Sequence, residues 1–137
     1  MTRCVVAMQS LIGLRAIGFL GNTTKEAADD FYPGYAHTFT KIGKERGWPQ
    51  RRGLNSMLRG PTGALLIGDA EIVARKVLYV NQVLGGLSRI TFQMGVSALP
   101  HDKMLGSIEI LGTHVVPKVR KELRSDQLTK ASRLVQA

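Results

Sequence analysis

Cysteine, acidic residues and long apolar runs are what this chain of 137 residues has least of. Its single Cys4 can form no internal disulfide and has no second thiol for a metal site, which fits a reducing compartment and excludes a disulfide-stapled secreted domain. A membrane span needs about 18 or more uncharged apolar residues. The best candidate, residues 4–14, is broken by Gln9 and Ser10 and closed by Arg15, so neither a span nor a secretory signal is read and a cytoplasmic protein is expected. Asn22-Thr23-Thr24 fits the glycosylation pattern, which has no meaning without secretion. His37, His101 and His114 lack a patterned Asp, Glu, Ser or Cys, so no metal set and no triad is read and the catalytic residues stay unassigned. On helical spacing His37 and His101 fall on surfaces and His114 is expected to be partly buried beside Val115.

The shortage of acid, 10 Asp and Glu against 19 Lys and Arg, leaves a net charge of +9 and raises the question of a polyanionic partner. One basic cluster comprises Lys41, Lys44, Arg46, Arg51, Arg52 and Arg59, with Trp48 and Pro49 among them. A second comprises Lys118, Arg120, Lys121, Arg124, Lys130 and Arg133. Both lie at helix ends or loops, where cations serve the helix dipole and solubility, and this argues against nucleic acid. Trp48 is expected to plug apolar surface below the helix before it.

Alternating short apolar runs and amphipathic segments give the organisation. Residues 14–20 (LRAIGFL) read as a strand ended by Gly21-Asn22. Thr23 with Glu26 three residues on is a capping box, opening a helix with a stripe of Ala27, Ala28, Phe31, Tyr35, Phe39 and Ile42. Pro33 predicts a kink or a restart within it, and Gly47 its end. Residues 50–62 are basic and turn-rich, with one helical turn at 54–58. GALLIGD then gives a strand at 64–67, a turn at Gly68 and Asp69 as N-cap of a helix with Val73, Val77, Val80 and Leu84 inside and Arg75, Lys76 and Asn81 outside. Gly85-Gly86 stops it. RITFQMG is the third strand; a helix entered through Pro100 follows, with a stripe of Met104, Leu105, Ile108, Leu111, Val115 and Val119 and a bend at Pro117. Residues 1–124 read as one domain and 125–137 as a polar tail.

Three consecutive βα units of this kind imply an α/β protein with parallel strands joined by helical crossovers. GALLIG and RITFQMG are apolar or half-apolar on both faces, and parallel strands are normally covered on both. Helices on two sides would cover them; so would closure into a barrel, for which three units are too few. Open strand edges then predict a homo-oligomer, a dimer or larger.

Gly21-Asn22-Thr23-Thr24 ends a strand and opens a helix, a place where backbone N–H groups can hold a phosphate, although the capping box already accounts for these residues. Gly68-Asp69 has the same placement with a carboxylate that repels anions.

The segments IGFLGNTTKEAADDFYPGYAHTFTKIGKERGWP, GPTGALLIGDAEIVARKVLYVNQVLGGLSRITFQMG and LPHDKMLGSIEILGTHVVPKVR resemble, in order and spacing, the C-terminal portion of the luciferase-like flavin-dependent monooxygenases. The middle one is similar to the family's G-(S/D)-P-E-x-V-A-x-K-I signature, with Ala70 at the usual proline; the last is similar to its LPHEK, SIEL and VxP close. The resemblance implies a partial TIM barrel of a family that binds FMN or a related deazaflavin at the C-terminal mouth of the strands. It places Ile90, Phe92 and Met94 outward on helices and Thr91 and Gln93 inward. Candidate cofactor-binding residues are then Gln93, Met94 and Gly95, with Gly21 and Asn22. The chain would start near the sixth strand, so a truncated or split oxidoreductase, inactive alone and completed by oligomerisation, is implied. A non-catalytic association module and a basic polyanion-binding protein are the alternatives. Residues 1–12 match nothing in the resemblance.

Overall fold

The computed structural model describes residues 11–48 and 60–135. Strand β1 (Gly13–Leu20) leads into helix α1 (Thr24–Glu45), β2 (Leu66–Gly68) into α2 (Ala70–Val83), and β3 (Arg89–Gln93) into a 3-10 turn at Gly95–Ser97 and helix α3 (His101–Ile110). A π-helical segment (Leu111–Val115) joins α3 to the long α4 (Val116–Val135). The predicted turn at 54–58 and residues 1–10 lie outside the described residues.

All strand pairs are parallel, as the alternating pattern implies, and the sheet order is β2-β1-β3. β1 pairs with β3 along its first half, from Gly13↔Arg89 to Ile17↔Gln93, and with β2 along its last three residues, Gly18↔Leu66 to Leu20↔Gly68. With β1 in the middle, one helix crosses each face. On one, Ala27, Phe31 and Tyr35 of α1 bury Phe19, Leu65 and Ile67, with Ile17 packed alongside. On the other, Val73, Ala74 and Val77 of α2, with Val115 and Val119, cover Ala16, Leu20, Leu66, Ile90 and Phe92. The chain's own helices thus enclose the two-sided strands. Gly18 makes this possible: a Cβ there would lie 2.5 Å from the Phe92 ring and 3.0 Å from the Leu66 carbonyl oxygen.

Helix ends follow their local chemistry. Thr23 caps α1 by accepting from the Glu26 amide at 3.1 Å. At its end Gly47 takes φ 66°, and the Trp48 amide returns to the Gly43 carbonyl at 2.8 Å. Gly85 and Gly86 likewise take positive φ, with the Gly86 amide on the Asn81 carbonyl at 2.9 Å.

Several expectations need correction. Pro33 does not restart α1, which runs through it; the lost amide falls on the exposed turn of Asp29, where the carbonyl is open to solvent. The bend expected at Pro117 takes the form of the π segment just before it, where the Val116 amide reaches back five residues to Leu111. One extra residue in that turn shifts the buried face, so Ser107 is 1% exposed while Leu105 and Ile108 are 51% and 53% exposed. His114, expected to be partly buried beside Val115, is exposed. Leu84 is 40% exposed, because α2 has already ended at Val83.

Lys76, expected outside, is 2% exposed. Its ammonium donates to the Leu65 carbonyl at 2.7 Å. Carbonyls alternate sides along a strand, and that of Gly68 faces β1, where it accepts from the Gly21 amide, so that of Leu65 faces the outer edge of the sheet. Lys76 occupies this edge acceptor, and burial pulls its pKa below the ordinary lysine value.

Candidate functional site

Parallel sheets bind ligands at the C-terminal ends of their strands, and there the candidate residues Gly21, Asn22, Gln93, Met94 and Gly95 are found. They share one end of the sheet but sit in different surroundings. Gly21 is tightly held: its amide donates to Gly68 at 3.2 Å, and a Cβ would meet the Ala27 amide nitrogen at 2.9 Å. Asn22 is exposed. Gln93 is half-buried in register with Ile17 on the α1 face, Met94 packs into the cluster around Leu20 and Leu66, and Gly95 is exposed at the start of the 3-10 turn.

Donors at this end are largely spent on the protein itself. β1 outruns β3 by three residues, so the Leu20 amide has no strand partner on that side; it donates to the buried Ser107 hydroxyl at 2.8 Å. The 3-10 turn is clamped to α1, with Ser97 donating to the Phe31 carbonyl and Thr38 to the Val96 carbonyl. Thr24 joins the two helix starts: its hydroxyl donates to Asp69 Oδ2 at 2.7 Å and accepts from the Asp69 amide at 3.2 Å. Asp69 Oδ1 accepts from the Ile72 amide at 2.9 Å.

The Asp69 carboxyl is held below the usual carboxylate range, chiefly by the Ile72 amide, against the opposing effect of burial and with help from the Thr24 hydroxyl. The negative charge therefore persists between the N-termini of α1 and α2, where a flavin phosphate would need cationic or N–H surroundings. The residues present do not fit that group. Sequence reasoning anticipated the Asp69 cap and missed Ser107 and Thr24, whose partners are 87 and 45 residues away.

Asp69→Ala is expected to lower stability by about 1 kcal/mol at neutral pH, with Asp69→Asn restoring most of it. The folded-state pKa lies below the unfolded value of 3.8, so this stability is complete above 3.8 and is lost as pH falls through the folded value. Urea titrations of the variants against pH measure it.

Ion pairs among the described residues tie down a few of the cations. Lys103 meets Asp30 at 2.6 Å, Lys118 meets Glu71, and Lys25 meets Asp29. Trp48 is 48% exposed, with the Arg46 guanidinium 5.7 Å above its ring, so a cation of its own chain covers part of the surface a base would stack on. Among the described residues no three His, Cys, Asp or Glu side chains are grouped to hold a metal ion, and no helix is long and apolar enough to cross a membrane.

No protein-family model and no curated protein matches the chain. Among solved structures it is similar to a type II Baeyer-Villiger monooxygenase, the oxygenating constituent of 3,6-diketocamphane monooxygenase from the CAM plasmid of Pseudomonas putida, in complex with FMN. The TM-score is 0.60 at 17% identity, over 78% of this chain and 33% of that one. The likeness is one of fold. This chain spans about a third of that enzyme's length. Its three parallel strands and their helices are consistent with part of a luciferase-like barrel, from which it departs by setting β1 between β2 and β3.

Proposed function

We propose that the described unit corresponds to the C-terminal part of a luciferase-like flavin-dependent oxidoreductase and carries no complete flavin site of its own. Two things support the relationship: the order of the three family-like sequence segments, and the fold shared with an FMN-bound monooxygenase. The observation that carries the second half is the use of the strand-end donors by Ser107, Gly68 and Asp69, together with the Asp69 charge. A flavin, when bound in such an enzyme, supplies oxygen activation or hydride exchange. This unit supplies a rigid wall, and no catalytic residue is assigned.

Association with a second copy belongs to the same proposal. It would use the outer edge of β3, since Lys76 already occupies the Leu65 carbonyl on the outer edge of β2. The test is titration of the purified chain into FMN and into a deazaflavin, read by flavin fluorescence, with mass measured by light scattering on the same samples. Unchanged fluorescence with a dimeric mass is the expected result. Saturable quenching by the chain alone would overturn the claim that it holds no flavin site, and a monomer at high concentration would overturn the association.

A further inference from the structure

At the opposite end of the sheet from the candidate flavin residues, α2, β3, the π segment and α4 line a half-open cavity of about 290 Å³. Its body is apolar, formed by Val77, Ile90, Phe92, Leu111, Val115 and Val119. Among the described residues four polar ones also line it, and none of these is acidic. Two of them are engaged: the Asn81 side-chain oxygen accepts from the Leu87 amide at 2.7 Å, and the Ser88 hydroxyl donates to the Ile12 carbonyl at 2.9 Å. The other two, Arg89 and Arg120, are exposed and have no carboxylate partner among the described residues, whereas Arg75, Lys103 and Lys118 each have one.

An apolar chamber bounded by two unpaired guanidinium groups and no acid selects for a ligand with one greasy end and one anionic end. The guanidinium fork matches a carboxylate in geometry and charge. The volume falls just below the usual range for drug-sized ligands, roughly 300 to 1,000 Å³, and so suits a smaller one. We infer that this cavity is a binding site for a small apolar monocarboxylate, its hydrocarbon body against Ile90, Phe92 and Val119 and its carboxylate between Arg89 and Arg120. The site is independent of the flavin reading, sharing none of the residues at the strands' C-terminal ends.

The test titrates the full chain with octanoate, and separately with octanol, by calorimetry and by amide chemical shifts. The expected result is one saturable octanoate site that shifts the amides of Ile90, Phe92 and Val119. Octanol should bind at least about tenfold more weakly, the loss expected when a charge-assisted hydrogen bond is removed. Arg89→Gln and Arg120→Gln should each weaken octanoate, and the double variant should reduce it to the octanol level. Both side chains are exposed, so the variants should keep the wild-type circular dichroism, which confirms that a loss is not unfolding. Equal binding of octanol and octanoate, indifference to the double variant, or uptake without saturation would each overturn the assignment.

Discussion

Gly34→Ala is expected to destabilise the protein by about 3 kcal/mol, although alanine is the better helix former by about 1 kcal/mol. Gly34 lies inside α1 where the 3-10 turn after β3 crosses it. A Cβ at that position would be 2.2 Å from the Ser97 carbonyl oxygen and 2.6 Å from the Ser97 hydroxyl oxygen. The obstacle is backbone, and that backbone is fixed on either side by the Ser97 bond to the Phe31 carbonyl and the Thr38 bond to the Val96 carbonyl. The turn can move away only by breaking these. Gly106, in α3, has nothing within 4 Å of its Cβ position, so Gly106→Ala should follow propensity alone and stabilise by up to about 1 kcal/mol. Urea midpoints of the two variants should therefore move in opposite directions, and a shared direction would mean that the turn does not rest on α1.

Phe31→Ala should be the most damaging truncation, at about 3–5 kcal/mol. The side chain is fully buried, stacked on Phe19 with centroids 5.6 Å apart and on Tyr35 at 6.2 Å. It is the main contact between α1 and the sheet on that face, so its loss removes hydrophobic transfer, leaves a cavity and breaks two ring contacts together. Against a typical total stability of about 5–15 kcal/mol, much of the population should unfold well below the wild-type midpoint. Phe39, which meets the same cluster only at its margin, gives the comparison: Phe39→Ala should lose clearly less.

What could be read from the sequence is what local chemistry decides. Thr23, Gly47, Asp69 and Gly85-Gly86 fix helix ends through their own side chains or backbone angles, and all four act as their residue types imply. The alternation of β3 follows from its sequence, with Ile90, Phe92 and Met94 on the α2 face, but Gln93 on the other face meets the α1 side and not an open interior. Features set by distant partners were not legible. Sheet order depends on which faces the crossover helices choose, and β1 carries no local sign of its central place. The expected stripe of α3 holds at Met104, Leu111, Val115 and Val119 and fails at Leu105 and Ile108, where Ser107 takes the buried place ahead of a π turn that inserts a residue. Lys76 was placed outside on its charge, yet α2 turns that position toward the Leu65 carbonyl.

Lys76 and Ser107 both belong to strings that resemble the flavoenzyme family, Lys76 to the G-D-A-E-I-V-A-R-K-V segment and Ser107 to S-I-E-I. In this fold each satisfies a backbone group that the sheet leaves over, an edge carbonyl for Lys76 and a strand-end amide for Ser107. Their work is structural: each satisfies one backbone group of a three-stranded sheet that has no further strand on either side among the described residues.

The account depends on β1 being the central strand, covered on both faces by helices of the same chain. Interstrand nuclear Overhauser effects on the isotope-labelled protein measure this directly. Contacts between the backbones of Arg15 and Thr91, and of Phe19 and Ile67, should appear in the same spectrum, with none between β2 and β3. Backbone contacts joining β2 to β3, with β1 displaced to an edge, would contradict it.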